Sequence, residues 1–141
     1  MISQYGSGTF AAVLLCVGNS YLQGATPVLR RFVASLVDEV FSDPMVRVSG
    51  SRHVDVSLMR KPGLLCVNLV NTGGPHGDPD VFAYDEIPRL GPLTVRIRST
   101  REPQDVFLEP NGRRVDWRYE GGAIVLAIDD LEVHDLVVIK E

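Results

Sequence analysis

From His53 to Glu141 the chain is a succession of short runs in which apolar and polar residues alternate, separated by Gly, Pro, Asn and Asp. Alternation puts successive side chains on opposite faces of a strand, so each run has one face made for a core and one for water. The clearest pair is His53 to Arg60 and Leu64 to Val70 around Lys61-Pro62-Gly63, which predicts two antiparallel strands about a tight turn. Val46 to Ser49 is a short strand before them. Asn71 to Pro79 is a loop on composition, and in the irregular stretch from Asp80 to Pro92 the residues Val81, Phe82, Tyr84, Ile87 and Leu90 are expected to anchor the chain across a sheet edge. Leu93, Val95 and Ile97 then alternate with Thr94, Arg96 and Arg98, a strand with one wet face. Val106 to Glu109, a turn at Pro110 to Arg113, and Val115 to Tyr119 read as a second hairpin. Ala123 to Ile128 and Leu131 to Ile139 follow, bounded by Glu120-Gly121-Gly122 and Asp129-Asp130. The count predicts a mainly β chain: an antiparallel β-sandwich of about eight strands, immunoglobulin-like, over residues 45–141.

Residues 1–44 have a different texture. Thr9 to Val17 is a continuous apolar run closed by Gly18-Asn19-Ser20, as expected of one β-strand buried on both faces. Thr26-Pro27 supplies a helix cap and a proline at the first helical position. Val28, Leu29, Phe32, Val33, Leu36, Val37 and Val40 recur at helical spacing as far as Phe41, predicting one amphipathic α-helix that Ser42-Asp43-Pro44 stops. One strand and one helix cannot close a domain, because both apolar surfaces require cover. Three arrangements supply it: the pair packs on the sandwich, it is the tail of a larger α/β domain, or a second copy of the chain completes it.

Composition narrows the partners. With 141 residues and 45% hydrophobic content the chain can bury an ordinary core. A net charge of -4 gives no basic stripe for a phosphate backbone, so a nucleic-acid role lacks its electrostatic footprint, and the longest apolar stretch, Phe10 to Val17, is too short to span a bilayer; neither nucleic acid nor membrane is an expected partner. A soluble chain is the expectation, with the cytoplasm the favoured compartment. Cys16 and Cys66 both lie in apolar runs, which points to buried thiols rather than a metal site.

Candidate chemistry is sparse. Asp78, Asp80, Asp85 and Glu86 cluster in sequence, yet on a Gly/Pro-rich loop, where glycoside hydrolysis wants two carboxylates held roughly 5 to 10 Å apart on rigid elements. With Asn71 they lack the spacing of a calcium loop. Cys16-Val17-Gly18 at a strand end echoes a nucleophile turn, with His53 and Asp55 as imaginable partners, but Leu14 stands where the strained turn requires a small residue. His53, His76 and His134 lack metal-ligand spacing. No catalytic residue, metal or cofactor is therefore expected. Val115, Trp117 and Tyr119 project from one side of a strand, so Trp117 and Tyr119 are candidates for stacking on a carbohydrate; the alternative is that Trp117 fills the inter-sheet core and Tyr119 closes its edge.

The order of Pro27 to Arg31, Val46 to Val48, Val54 to Leu58, Val67 to Thr72, Ile87 to Pro92, Val95 to Ile97 and His134 to Val138 resembles the carboxyl-terminal region of bacterial glycoside hydrolases of the β-galactosidase and α-fucosidase-like kind. The resemblance implies that residues 1 to about 44 end an amidotransferase-like trimerisation domain and that the rest is the terminal β-sandwich. It implies a non-catalytic accessory module that braces the preceding domain and supports oligomerisation, with the rest of the parent protein or another copy of the chain as partner. The barrel that carries that family's carboxylates is not in this sequence.

Overall fold

Alternation becomes two antiparallel sheets sharing one core in the computed structural model, which describes residues 1–24, 26–74 and 86–141. The chain divides into two units, Met1–Pro44 and Met45–Glu141.

In the first unit, β1 (Ile2–Tyr5) and β2 (Gly8–Ala11) form a hairpin registered Tyr5 to Gly8 and Ile2 to Ala11. Gly6 opens its two-residue connection at φ +60°, a conformation that costs glycine little. Two short helices follow, α1 (Val17–Gly24) and α2 (Pro27–Val40). The start of α2 is as its sequence specifies: Thr26 is extended, its hydroxyl accepts from Leu29 N, and Pro27 sits in the first turn. At its end the Phe41 amide donates to Val37 O at 2.7 Å.

The run from Thr9 to Val17 is thus not one buried strand. Pairing stops at Ala11, Phe10 is 45% exposed, and Val17 opens a helix where a turn was expected. Backbone pairing requires a partner of matching length, and β1 offers four residues. Gly18, Asn19 and Ser20 are weak helix formers, but Val17 and Tyr21, four apart, share a half-buried face. Tertiary packing outweighs propensity there. None of the described residues of this unit is fully buried.

The second unit holds nine strands among the described residues. One sheet contains β3 (Val46–Ser49), β6 (Leu93–Arg98), β10 (Ala123–Ile128) and β9 (Trp117–Glu120), in that order across it. The other runs β4 (Val54–Lys61), β5 (Leu64–Asn71), β11 (His134–Lys140), β7 (Asp105–Glu109), β8 (Arg113–Arg114). The hairpin around Pro62-Gly63 pairs Val54 with Asn71 through Lys61 with Leu64, with Gly63 at φ +73°. Leu65, Val67 and Leu69 of β5 and Val137 and Ile139 of β11 meet Leu93, Val95 and Ile97 of β6 and Ile124, Leu126 and Ile128 of β10. Each such side chain removed from water contributes about 1.5–3 kcal/mol, which is what holds the two sheets together.

Two readings of the sequence change here. The segment Val115 to Tyr119 does not simply return along β7: Arg113 and Arg114 pair with β7, then the chain crosses at Val115–Asp116 and Trp117 to Glu120 pair with β10 in the other sheet. Periodicity records which side chains face inward, and that face is continuous through the crossing. The last strand begins at His134, because Leu131 instead makes an isolated bridge to Leu90. Leu90 is therefore an anchor, whereas Ile87 is 45% exposed. Val81, Phe82 and Tyr84 lie outside the described residues.

Candidate functional site

The alternation Val115, Trp117, Tyr119 turns all three side chains toward the sandwich interior, half-buried against its core, while Arg118 and Glu120 face outward. Trp117 is registered with Leu126. The Tyr119 hydroxyl donates to the carbonyl of Ser99 at 3.2 Å, tying β9 to the end of β6. Strand β9 is the edge of its sheet, so both rings pack on one side and retain partial access on the other.

Among the described residues of the second unit, Asp130, Glu132 and Asp135 are held in ion pairs. Arg89 bridges Asp130 and Glu132, and Arg113 reaches Asp135 at 3.1 Å. Arg89, Asp130, Glu132 and Asp135 line a surface hollow of about 420 Å³ with His134 and Asn111. Burial pushes the Asp135 carboxyl above its usual range, more than Arg113 and His134 pull it down. On the opposite sheet the Glu120 carboxyl is held below its usual range, first by the hydrogen bond from Arg118. A second hollow, of about 450 Å³, lies between Met45, Arg60, Arg98, Arg101 and Glu141, where Arg60 Nη1 donates to both Glu141 carboxylate oxygens at 2.9 and 2.7 Å.

Asp78, Asp80, Asp85 and His76 lie outside the described residues, and Glu86 is exposed. Asn71 is 9% exposed, and its side chain faces backbone: the amide donates to Pro88 O, Leu131 O and Glu132 O, and its oxygen accepts from Gly73 N. Among the described residues no three His, Cys, Asp or Glu side chains converge as metal ligands. No helix among them is long and apolar enough to cross a membrane.

The cysteines correct one expectation. Cys66 is buried on β5, but Cys16 is exposed, because the strand that was to bury it ends at Ala11. Cys16 belongs to the first unit, His53 and Asp55 to the second. Sequence reasoning missed the β1–β2 hairpin and helix α1; Gly6-Ser7 between Ile2–Tyr5 and Gly8–Ala11 was the hairpin's signal.

No protein-family model matches the chain, and no curated protein matches it significantly. Among solved structures it is similar to α-L-fucosidase isoenzyme 2 from Paenibacillus thiaminolyticus, with a TM-score of 0.79 and 15% identity, over 99% of this chain and 21% of that one. The chain thus spans about a fifth of that enzyme's length, and at this identity what the two share is a fold.

Proposed function

We propose that the chain is a non-catalytic accessory module of a glycoside-hydrolase-like protein, one that braces a neighbouring domain and supports association. The observation that carries this reading is the fold likeness to one fifth of an α-L-fucosidase over nearly the whole chain. The division of burial favours it too. Residues 45–141 own a complete core, whereas in the first unit Phe32, Val33, Val37 and Phe41 remain 40–58% exposed. Apolar helical surface of that kind is stabilised by further protein, either the rest of a parent protein or a second copy of this chain.

Assays with aryl fucosides and galactosides test the catalytic half of the proposal. No turnover is expected. Turnover abolished by changing one of the chain's own carboxylates would overturn it. Sedimentation across a concentration series tests the association half. Self-association that the double variant Phe32→Asp/Val37→Asp removes identifies a second copy as the partner; a monomer whose first unit is already protected from hydrogen exchange removes the reason for a partner.

A second reading, carbohydrate binding through Trp117 and Tyr119, is favoured by the partial access their rings keep on an edge strand. Trp117 is the sole tryptophan, so its fluorescence reports directly. A shift on titration with neutral fucosylated or galactosylated oligosaccharides supports this reading, and a flat response removes it.

A further inference from the structure

Among the described residues four strands edge the two sheets of the second unit, and one of them is unlike the rest. Strands β3, β9 and β8 have four, four and two residues, whereas β4 has eight, pairs with β5 in one unbroken register and holds no proline. Short, bulged or proline-bearing edges discourage further pairing, and β4 has none of these features. Its apolar middle is open: Leu58 is 46% exposed and Met59 58%, and Arg60 and Lys61 after them are exposed as well. The main chain offers itself at the same edge. His53 O accepts from Thr72 N at 2.8 Å, so the odd-numbered residues of this stretch turn their peptide groups toward β5, and Val54, Val56, Leu58 and Arg60 turn theirs away. Val56 N accordingly donates to Oδ1 of its own neighbour Asp55, at 2.9 Å. Val54 and Val56 pack against the core, so the even positions face inward, while Asp55, Ser57, Met59 and Lys61 face outward.

We propose that β4 pairs antiparallel with β4 of a second copy of this chain about a two-fold axis at Leu58, joining two five-stranded sheets into one. An axis normal to the sheet keeps inward residues opposite inward ones. Centred on Leu58, it sets Leu58 against the partner's Leu58, Val56 against the partner's Arg60, Ser57 against the partner's Met59 and Asp55 against the partner's Lys61. The peptide groups that β5 leaves unused then exchange about six hydrogen bonds. Asp55 and Lys61, both exposed on the outward face, become two ion pairs across the ladder, and the two Leu58 side chains cover each other. Moving the axis by one residue loses this match: on Ser57 it sets Asp55 against the partner's Met59, and on Met59 it sets Lys61 against the partner's Ser57. Arg60 contributes its main chain only, its guanidinium being held by both carboxylate oxygens of Glu141. It is this match of the strand to itself, in charge and in hydrogen-bonding phase, that selects a second copy as the occupant. The contact uses no residue of the first unit and stands whether or not the accessory role does.

Sedimentation velocity of the full chain carrying Phe32→Asp/Val37→Asp, which closes the exposed helix face to a second copy, tests this contact by itself. One strand from each copy is a small interface, so a weak dimer that grows in as the concentration is raised to about 1 mM is expected. Adding Asp55→Lys sets like charges opposite each other and weakens the dimer at least about tenfold, whereas the exchanged pair Asp55→Lys/Lys61→Asp restores it to within about threefold. Leu58→Pro removes an amide that β5 does not use, so the chain stays folded by circular dichroism while the dimer is lost. A monomer throughout the series overturns the proposal, and if the unaltered chain associates under the same conditions that result assigns the contact to the first unit instead. Association indifferent to Asp55→Lys, or an exchanged pair that fails to restore it, overturns it equally.

Discussion

The side-chain amide of Asn71 donates to the carbonyl of Glu132 at 2.6 Å, joining the end of β5 to the turn before β11. Its two protons are shared among three carbonyls, those of Pro88, Leu131 and Glu132, and its oxygen takes the Gly73 amide. Asn71→Leu keeps the volume and strands these groups. The expected loss is about 2–3 kcal/mol, read as a lower urea midpoint with an unchanged m-value.

Leu126 is 1% exposed and packs from β10 into the shared core. Leu126→Ala removes buried surface from both sheets at once and leaves a cavity. A loss of about 2–5 kcal/mol is expected in chemical denaturation, against less than about 1.5 kcal/mol for Leu126→Met.

Gly91 approaches the backbone so closely that a Cβ there would run into the carbonyl oxygen of Asp129, and it takes φ +157°. Neither obstacle can swing aside, since both are main chain. Gly91→Ala is expected to lower Tm by several degrees, whereas Gly112→Ala, with nothing within 4 Å, feels only its left-handed φ of +59°.

Asp135 is raised above its ordinary value of 3.8, chiefly by burial. The folded state then holds the proton more tightly than the unfolded chain, so this group favours folding below pH 3.8 and that contribution is lost as pH rises through its folded value. Asp135→Asn removes that dependence. Stability of the variant relative to the parent should rise as pH increases from 3.5 to 6 by urea titration; a parallel fall in both proteins, or a relative decline, would contradict the assignment.

Cys16 is exposed and Cys66 is 7% exposed. A chromogenic disulfide reagent should titrate one thiol per native chain and two in denaturant, and Cys16→Ser should leave none reactive before unfolding.

Strand identity in the sandwich was largely legible, since Leu65, Val67 and Leu69, or Leu93, Val95 and Ile97, announce an inward face by period alone. What period does not encode is the partner. Val115, Trp117 and Tyr119 keep one inward face while the backbone leaves one sheet for the other, so the crossing left no trace in the pattern. The opening run misled for a related reason: Thr9 to Val17 is uniformly apolar, and uniform runs suit a buried strand, an exposed hairpin arm or a helix start equally. At the candidate sites, the inward projection of Trp117 and Tyr119 followed from alternation. The alignment of Arg47, Arg96 and Arg118 across one sheet did not, because they lie far apart in sequence and only the register of three ladders brings them into line.

The passage of the chain at Val115–Asp116 acts as a stitch. One continuous stretch of backbone is hydrogen-bonded first into one layer and then into the other, and both layers line one core, so the loss of either strips its companion of apolar cover. Heat or force applied to residues 45–141 must therefore undo both layers in a single step, and no half-melted form with one intact sheet should accumulate.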